Sequence, residues 1–185
     1  TLWARCSTRG VYQLTAHEIG DGEELAATAE ATPENDLCVV WRVTGLQSDT
    51  RYGYEATYQD QPLLAGEENF FVTHPGDDAP TLTRLAFGSC AREDPESSAV
   101  WRRMSALDPH AVVLLGDTPY IDSTALDVQR TRYAEFAAVP DFADLLRNRS
   151  LYATWDDHDF GANDTDGRLV GKADARRAFV ENHAN

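Results

Sequence analysis

Residues 74–80 read His-Pro-Gly-Asp-Asp-Ala-Pro, and the apolar patterning of the chain changes across them. No other feature constrains the fold as much. Two prolines and a glycine in seven residues stop both helices and ladder-bonded strands. Whatever core forms before this connector is therefore not continued through it, and two domains are expected, 1–76 and 81–185.

Before the connector the pattern is β throughout. Residues 2–7, 11–17, 38–46, 52–58 and 69–73 are strand-like, with turn residues between them. The stretch Cys38-Val-Val-Trp-Arg-Val-Thr-Gly-Leu leads through Gln-Ser-Asp-Thr-Arg to Tyr52-Gly-Tyr-Glu-Ala-Thr-Tyr58. It resembles the corner of a fibronectin type III-like β-sandwich, with Tyr52 at the tyrosine-corner position. After the connector, short apolar runs alternate with helical periods. Strands are expected over 82–88, 111–115 and 151–155. Helices are expected over 96–107, with Val100, Met104 and Leu107 near one face, over 126–146 in two pieces split by Pro140, and over 171–184. The continuous run Ala-Val-Val-Leu-Leu at 111–115 predicts a strand buried on both faces of a parallel sheet. This alternation predicts a layered α/β domain.

Each of the three α/β strands is followed by a loop bearing reactive side chains. The loops read Phe87-Gly-Ser-Cys90, Gly116-Asp-Thr-Pro-Tyr120 and Trp155-Asp-Asp-His-Asp-Phe-Gly-Ala-Asn163. Ligands bind at the carboxyl ends of strands in open α/β sheets. Competing chemistries fail on residue identity. A cysteine phosphatase needs Arg six places after its nucleophile, where Glu96 stands, and an aspartyl-phosphate enzyme needs Asp where Pro119 stands. Gly-x-Ser-x-Gly, P-loop and dinucleotide-binding glycine patterns are missing. A two-cation phosphoesterase needs a carboxylate shared between ions, flanking ligands and a His for the leaving oxygen. Asp117 follows a glycine at the end of a buried strand, which suits the shared carboxylate. Asp156 is expected to hold His158 in one tautomer. Asp159, Asp164 and Asp166 are expected to be solvated or turn-forming.

Charge narrows the partners. Sixteen Lys and Arg against 31 Asp and Glu give a net charge of −15. A nucleic-acid-binding surface is not expected on such a chain. A phosphate-ester substrate would be repelled unless bound cations reverse the local sign. No run approaches the ~20 apolar residues of a membrane span. Cys6 and Cys38 fall in strand-like runs, where they could pair or serve as small buried hydrophobes.

Together, Phe-Gly-Ser-Cys, Gly-Asp-x-x-Tyr and Trp-Asp-Asp-His resemble the alkaline phosphatase D (PhoD-like) family of the metallophosphoesterase superfamily. The resemblance runs over nearly the whole chain and corresponds to the N-terminal part of that family. It implies a fibronectin type III-like sandwich followed by a partial α/β metallophosphoesterase domain. It also implies a dinuclear centre of Fe(III) and Ca2+, with Cys90, Asp117 and Tyr120 on the iron, although carboxylate ligands accept other divalent ions too. Asp117 would bridge to a second site formed with Asp157 and Asn163. His158, beside Asp157, corresponds to the catalytic histidine, and metal-activated water would attack phosphorus in line. The family's later Asp and His ligands lie beyond residue 185, so this piece is expected to be inactive alone. Export from the cytoplasm, secreted or periplasmic, also follows from the resemblance. Asp159 stands where the family usually has Glu, and Ala162-Asn163 where it commonly has two Asn. The competing expectation is a secreted β-sandwich binding module whose metal is structural and catalyses nothing.

Overall fold

A computed structural model describes residues 1–20, 22–76, 78 and 80–184. The chain divides into two compact units, Thr1–Leu82 and Thr83–His183, of mixed α/β architecture.

The first unit is antiparallel β. Its strands are β1 (Leu2–Arg5), β2 (Gly10–Glu18), β3 (Glu24–Ala31), β4 (Cys38–Trp41), β5 (Arg51–Tyr58), β6 (Gln61–Leu64) and β7 (Phe70–Val72). One sheet has the order β3-β2-β5-β6, with β7 also on β5, and a second pairs β1 with β4. Alternation along β2 turns Tyr12, Leu14 and Ala16 inward against Ala31, Val39 and Trp41. The Trp41 indole N–H donates to the Tyr12 carbonyl at 3.1 Å, so the two sheets share a polar tie inside an apolar core. The Tyr52 hydroxyl accepts from the Gln47 N–H at 2.9 Å, closing the corner ahead of β5. Three details differ from expectation. The strand opening at Cys38 ends at Trp41, and β3 and β6 were not anticipated. The β3 sequence Glu-Leu-Ala-Ala-Thr-Ala-Glu-Ala is rich in helix formers. Its eight-residue pairing with β2 and the packing of Ala27 and Ala29 against the core override that preference. All three cysteines are free thiols, Cys38 among them buried.

The second unit is built on a parallel sheet of order β10-β9-β8, with β8 (Leu85–Gly88), β9 (Ala111–Leu115) and β10 (Ser150–Thr154). Its helices are α1 (Pro95–Ala106), α2 (Leu126–Ala137), α3 (Pro140–Leu146), α4 (Asp157–Phe160) and α5 (Lys172–Asn182). Val112 and Leu114 pack with Trp101, Phe136, Phe142 and Leu145. The inward face of α1 centres on Trp101 and Met104, while Val100 and Leu107 are exposed. Burying an indole outweighs burying either aliphatic side chain, and that sets the helix rotation. The expectation that β9 is covered on both faces also fails. Across the opposite face Phe87 is 67%, Tyr152 56% and Leu115 46% exposed. Register places Phe87, Val113 and Tyr152 side by side there, an apolar row in which Phe87 and Tyr152 are exposed and Val113 is half-buried.

Candidate metal centre

Parallel register brings the three strand ends together. Gly88 pairs with Leu114, and Thr154 with Leu115. Beyond β8 and β9 the ladder continues through Cys90 N–H to the Gly116 carbonyl at 3.2 Å, and Ala91 N–H to the Asp117 carbonyl at 3.1 Å. Three residues here are left-handed: Cys90 (φ 58°), Gly116 (φ 94°) and Asp117 (φ 51°). Side chains oppose that conformation, so it marks a place where the surroundings dictate the backbone. Gly116 has a further reason to be glycine, because a Cβ there would lie 2.4 Å from the Asp156 Cβ.

The third loop turns directly into α4. Asp156 caps it, its carboxylate accepting the Asp157 N–H at 2.9 Å. Asp159, expected to be solvated or turn-forming, is 2% exposed. Its Oδ1 accepts the Asp156 N–H at 2.7 Å and the Asp117 N–H at 3.3 Å. One buried carboxylate thus fastens the Asp117 turn to the start of α4. Burial pushes its pKa up to about 6 against the pull of those two N–H groups.

At the mouth of this joint, donor atoms of Asp117, Asp157 and His158 lie within 4.8 Å of one another. The two oxygens of Asp117 face different neighbours. Oδ2 is 3.5 Å from the Cys90 Sγ, and Oδ1 accepts the His158 N–H at 3.3 Å. Cys90 is outside the three-residue group but touches it through Asp117. The Tyr120 hydroxyl joins from the same side. Its hydrogen bond to Cys90, then burial and the Asp117 charge, push its pKa up to about 12. The Tyr120 ring also lies 4.5 Å from the His158 ring.

Asp157 is held below the usual carboxylate range, chiefly by the Asp164 N–H, which donates to its Oδ2. Asn163 is not part of the group: it is exposed, and its amide donates to the Asp164 carboxylate at 2.7 Å. It reaches Asp157 only through Asp164. His158 is oriented by Asp122, not by Asp156 as expected. Its Nδ1 meets Asp122 Oδ1 at 2.5 Å, and this bond, opposed by partial desolvation, raises its pKa. The Ile121 and Asp122 N–H groups both donate to the His158 carbonyl, at 3.0 and 2.9 Å. Asp122 stands alone in Tyr120-Ile-Asp-Ser123 with no motif around it. Only the return of its loop onto α4 reveals it.

Asp117 is buried, and among the described residues it has no Lys or Arg within salt-bridge distance. A buried carboxylate without a protein cation, beside a second carboxylate and an imidazole, is a donor set that fits a metal ion.

Fold and site together define a mixed α/β protein with a candidate metal-binding group at the carboxyl edge of a parallel sheet. A solved structure described as "Structure of PhoD" matches 98% of this chain with a TM-score of 0.79 and 18% sequence identity. The chain spans 42% of the length of that solved chain. The likeness is one of fold. No protein-family model and no curated protein matches the chain.

Proposed function

We propose that this chain carries the metal-binding part of a phosphate-ester hydrolase of the alkaline phosphatase D type, acting on mono- or diesters. The observation that carries the reading is Asp117, whose two oxygens face Cys90 on one side and the Asp157-His158 turn on the other. A carboxylate shared between two cations needs that arrangement. The PhoD-like fold supports the reading. In this account Cys90, Asp117 and Tyr120 would hold Fe(III), while Asp117, Asp157 and, after the Asp164 contact opens, Asn163 would hold Ca2+ or another divalent ion. Bound cations supply a nucleophilic water and neutralise the phosphate. The tyrosine-corner bond of Tyr52 supports reading the first unit as a fibronectin type III-like sandwich. Export from the cytoplasm belongs to the same proposal.

The chain's own residues divide the remaining work. The Asp122 carboxylate accepts from His158 Nδ1 and fixes the imidazole, leaving Nε2 to carry the second, transferable proton. As the oxygen of water bonds to phosphorus and the ester P–O bond breaks, His158 gives its proton to the departing oxygen.

The test is hydrolysis of a series of aryl phosphates by the intact protein, with and without a chelator. His158→Ala should slow esters of poor leaving groups by about 10²- to 10⁴-fold and those of good leaving groups far less. Bound metal with no hydrolysis of any ester would instead favour a binding module with a structural site.

A further inference from the structure

Two guanidinium groups touch Tyr120, and they are in different electrostatic states. Arg132 donates to the Tyr120 carbonyl and is neutralised by Glu93 at 2.5 Å and Glu135 at 2.6 Å. Arg92 stands with its Cζ 3.7 Å from the centre of the Tyr120 ring, and it has no carboxylate within 4.0 Å among the described residues. It is exposed. Asp94 feels its charge, and that carboxylate is engaged by the Ser97 N–H at the start of α1. The Arg92 backbone is also anchored there, its N–H donating to the Ser97 hydroxyl at 3.1 Å. An uncompensated cation is thus mounted on a fixed turn, two residues after Cys90, against the ring whose hydroxyl meets Cys90 and Asp117. In a chain of net charge −15, it is linked through the Tyr120 ring to the side of Cys90 and Asp117.

We infer that Arg92 is a specificity-determining residue that binds the third non-bridging oxygen of a phosphomonoester. The inference rests on the phosphate-ester reading above and narrows its substrate class. Bound cations would take the two oxygens nearest Asp117. The third oxygen of a monoester is anionic and matches a guanidinium fork. In a diester that oxygen carries a second organic group and offers no charge. Arg92 therefore selects monoesters over diesters. The Tyr120 ring restrains the guanidinium and lowers the ordering cost of the contact.

The experiment compares kcat/KM for an aryl phosphomonoester and a bis-aryl phosphodiester in the intact protein, for wild type, Arg92→Ala and Arg92→Lys, at matched metal content. Arg92→Ala should lower the monoester value by about 10- to 100-fold and leave the diester within about threefold, as expected for one charge-assisted contact. Arg92→Lys should recover part of the loss. Equal losses on both esters would assign Arg92 to holding Tyr120 and overturn the inference, as would no loss on either. Should the wild type hydrolyse neither ester, the hydrolase reading fails. Binding of inorganic phosphate to the metal-loaded protein then decides about Arg92. Tenfold or more weakening in Arg92→Ala supports the contact, while equal affinity, or no binding by wild type, refutes it.

Discussion

Both units of this chain depart from local backbone rules, since left-handed Asp36, Leu37, Asp49, Gln59 and Asp60 occur in the first, but the departures of the second meet at a group of reactive side chains. In the first, strand alternation, an apolar core and the Tyr52 corner agree with one another, and Tyr12, Leu14 and Ala16 are buried as their period requires. In the second, rules break in a few places. Cys90 and Asp117 adopt left-handed backbone, Asp159 is a buried carboxylate, and Phe87 and Tyr152 are exposed on one sheet face beside the half-buried Val113. Three of these exceptions meet at one joint, where Asp117, Asp157 and His158 converge. Departures of the second unit from local consistency concentrate where a site has to be held open against folding preferences. The partly exposed sheet face has no counterpart in that reasoning, since it lies away from the strand ends.

Asp159 is where this contrast breaks most readily. Asp159→Ala strips the acceptor from two backbone N–H groups at once, and should cost about 2–6 kcal/mol of stability in the second unit. Asp159→Asn keeps an oxygen acceptor and should recover most of it. Chemical denaturation of both variants measures this, and near-wild-type stability in Asp159→Ala would remove the fastening role. An effect of about 3 kcal/mol is expected from His183, whose burial pushes its pKa down to about 4. A base depressed in the fold contributes stability above its unfolded pKa of about 6.5. That contribution should be lost as pH falls through 4, because only the unfolded chain binds the proton readily. Between about pH 6.5 and 4 this contribution falls, while Asp159, raised to about 6, adds stability as it takes up its proton in the same window, so the check is the stability difference between wild type and His183→Phe, which should change by about 3 kcal/mol across that window. The smallest effect belongs to the first unit. Tyr52→Phe leaves the Gln47 N–H without its partner and should cost about 1 kcal/mol, with no change in metal binding. A change in metal binding in that variant would mean that the two units are not energetically separate.

Much of this contrast was legible in the sequence, and the failures have physical causes. The strand-end loops announced themselves because Cys90, Asp117, Tyr120 and the Asp157-His158 pair each follow an apolar run closely. Pro140 marked the break between α2 and α3. Strand β3 was hidden because alanine carries helix propensity and little periodic contrast, and its pairing with β2 is a long-range decision. Asp122 was passed over and Asp159 misjudged for a related reason. A lone Asp looks solvated in sequence, and only the folded return of the Asp117 loop onto α4 gives each its partner. Arg92 gave no sequence signal, since its meaning depends on the nearby Tyr120 ring and on the lack of a carboxylate.

The central claim is that Asp117 is shared between two cations. Elemental analysis of the intact protein beside its Asp117→Asn variant tests it most directly. The account predicts two metal ions per wild-type chain and loss of at least one in the variant, because the charge that holds both is removed. Two ions retained in Asp117→Asn, or none in the wild type after exposure to iron and calcium, would contradict it.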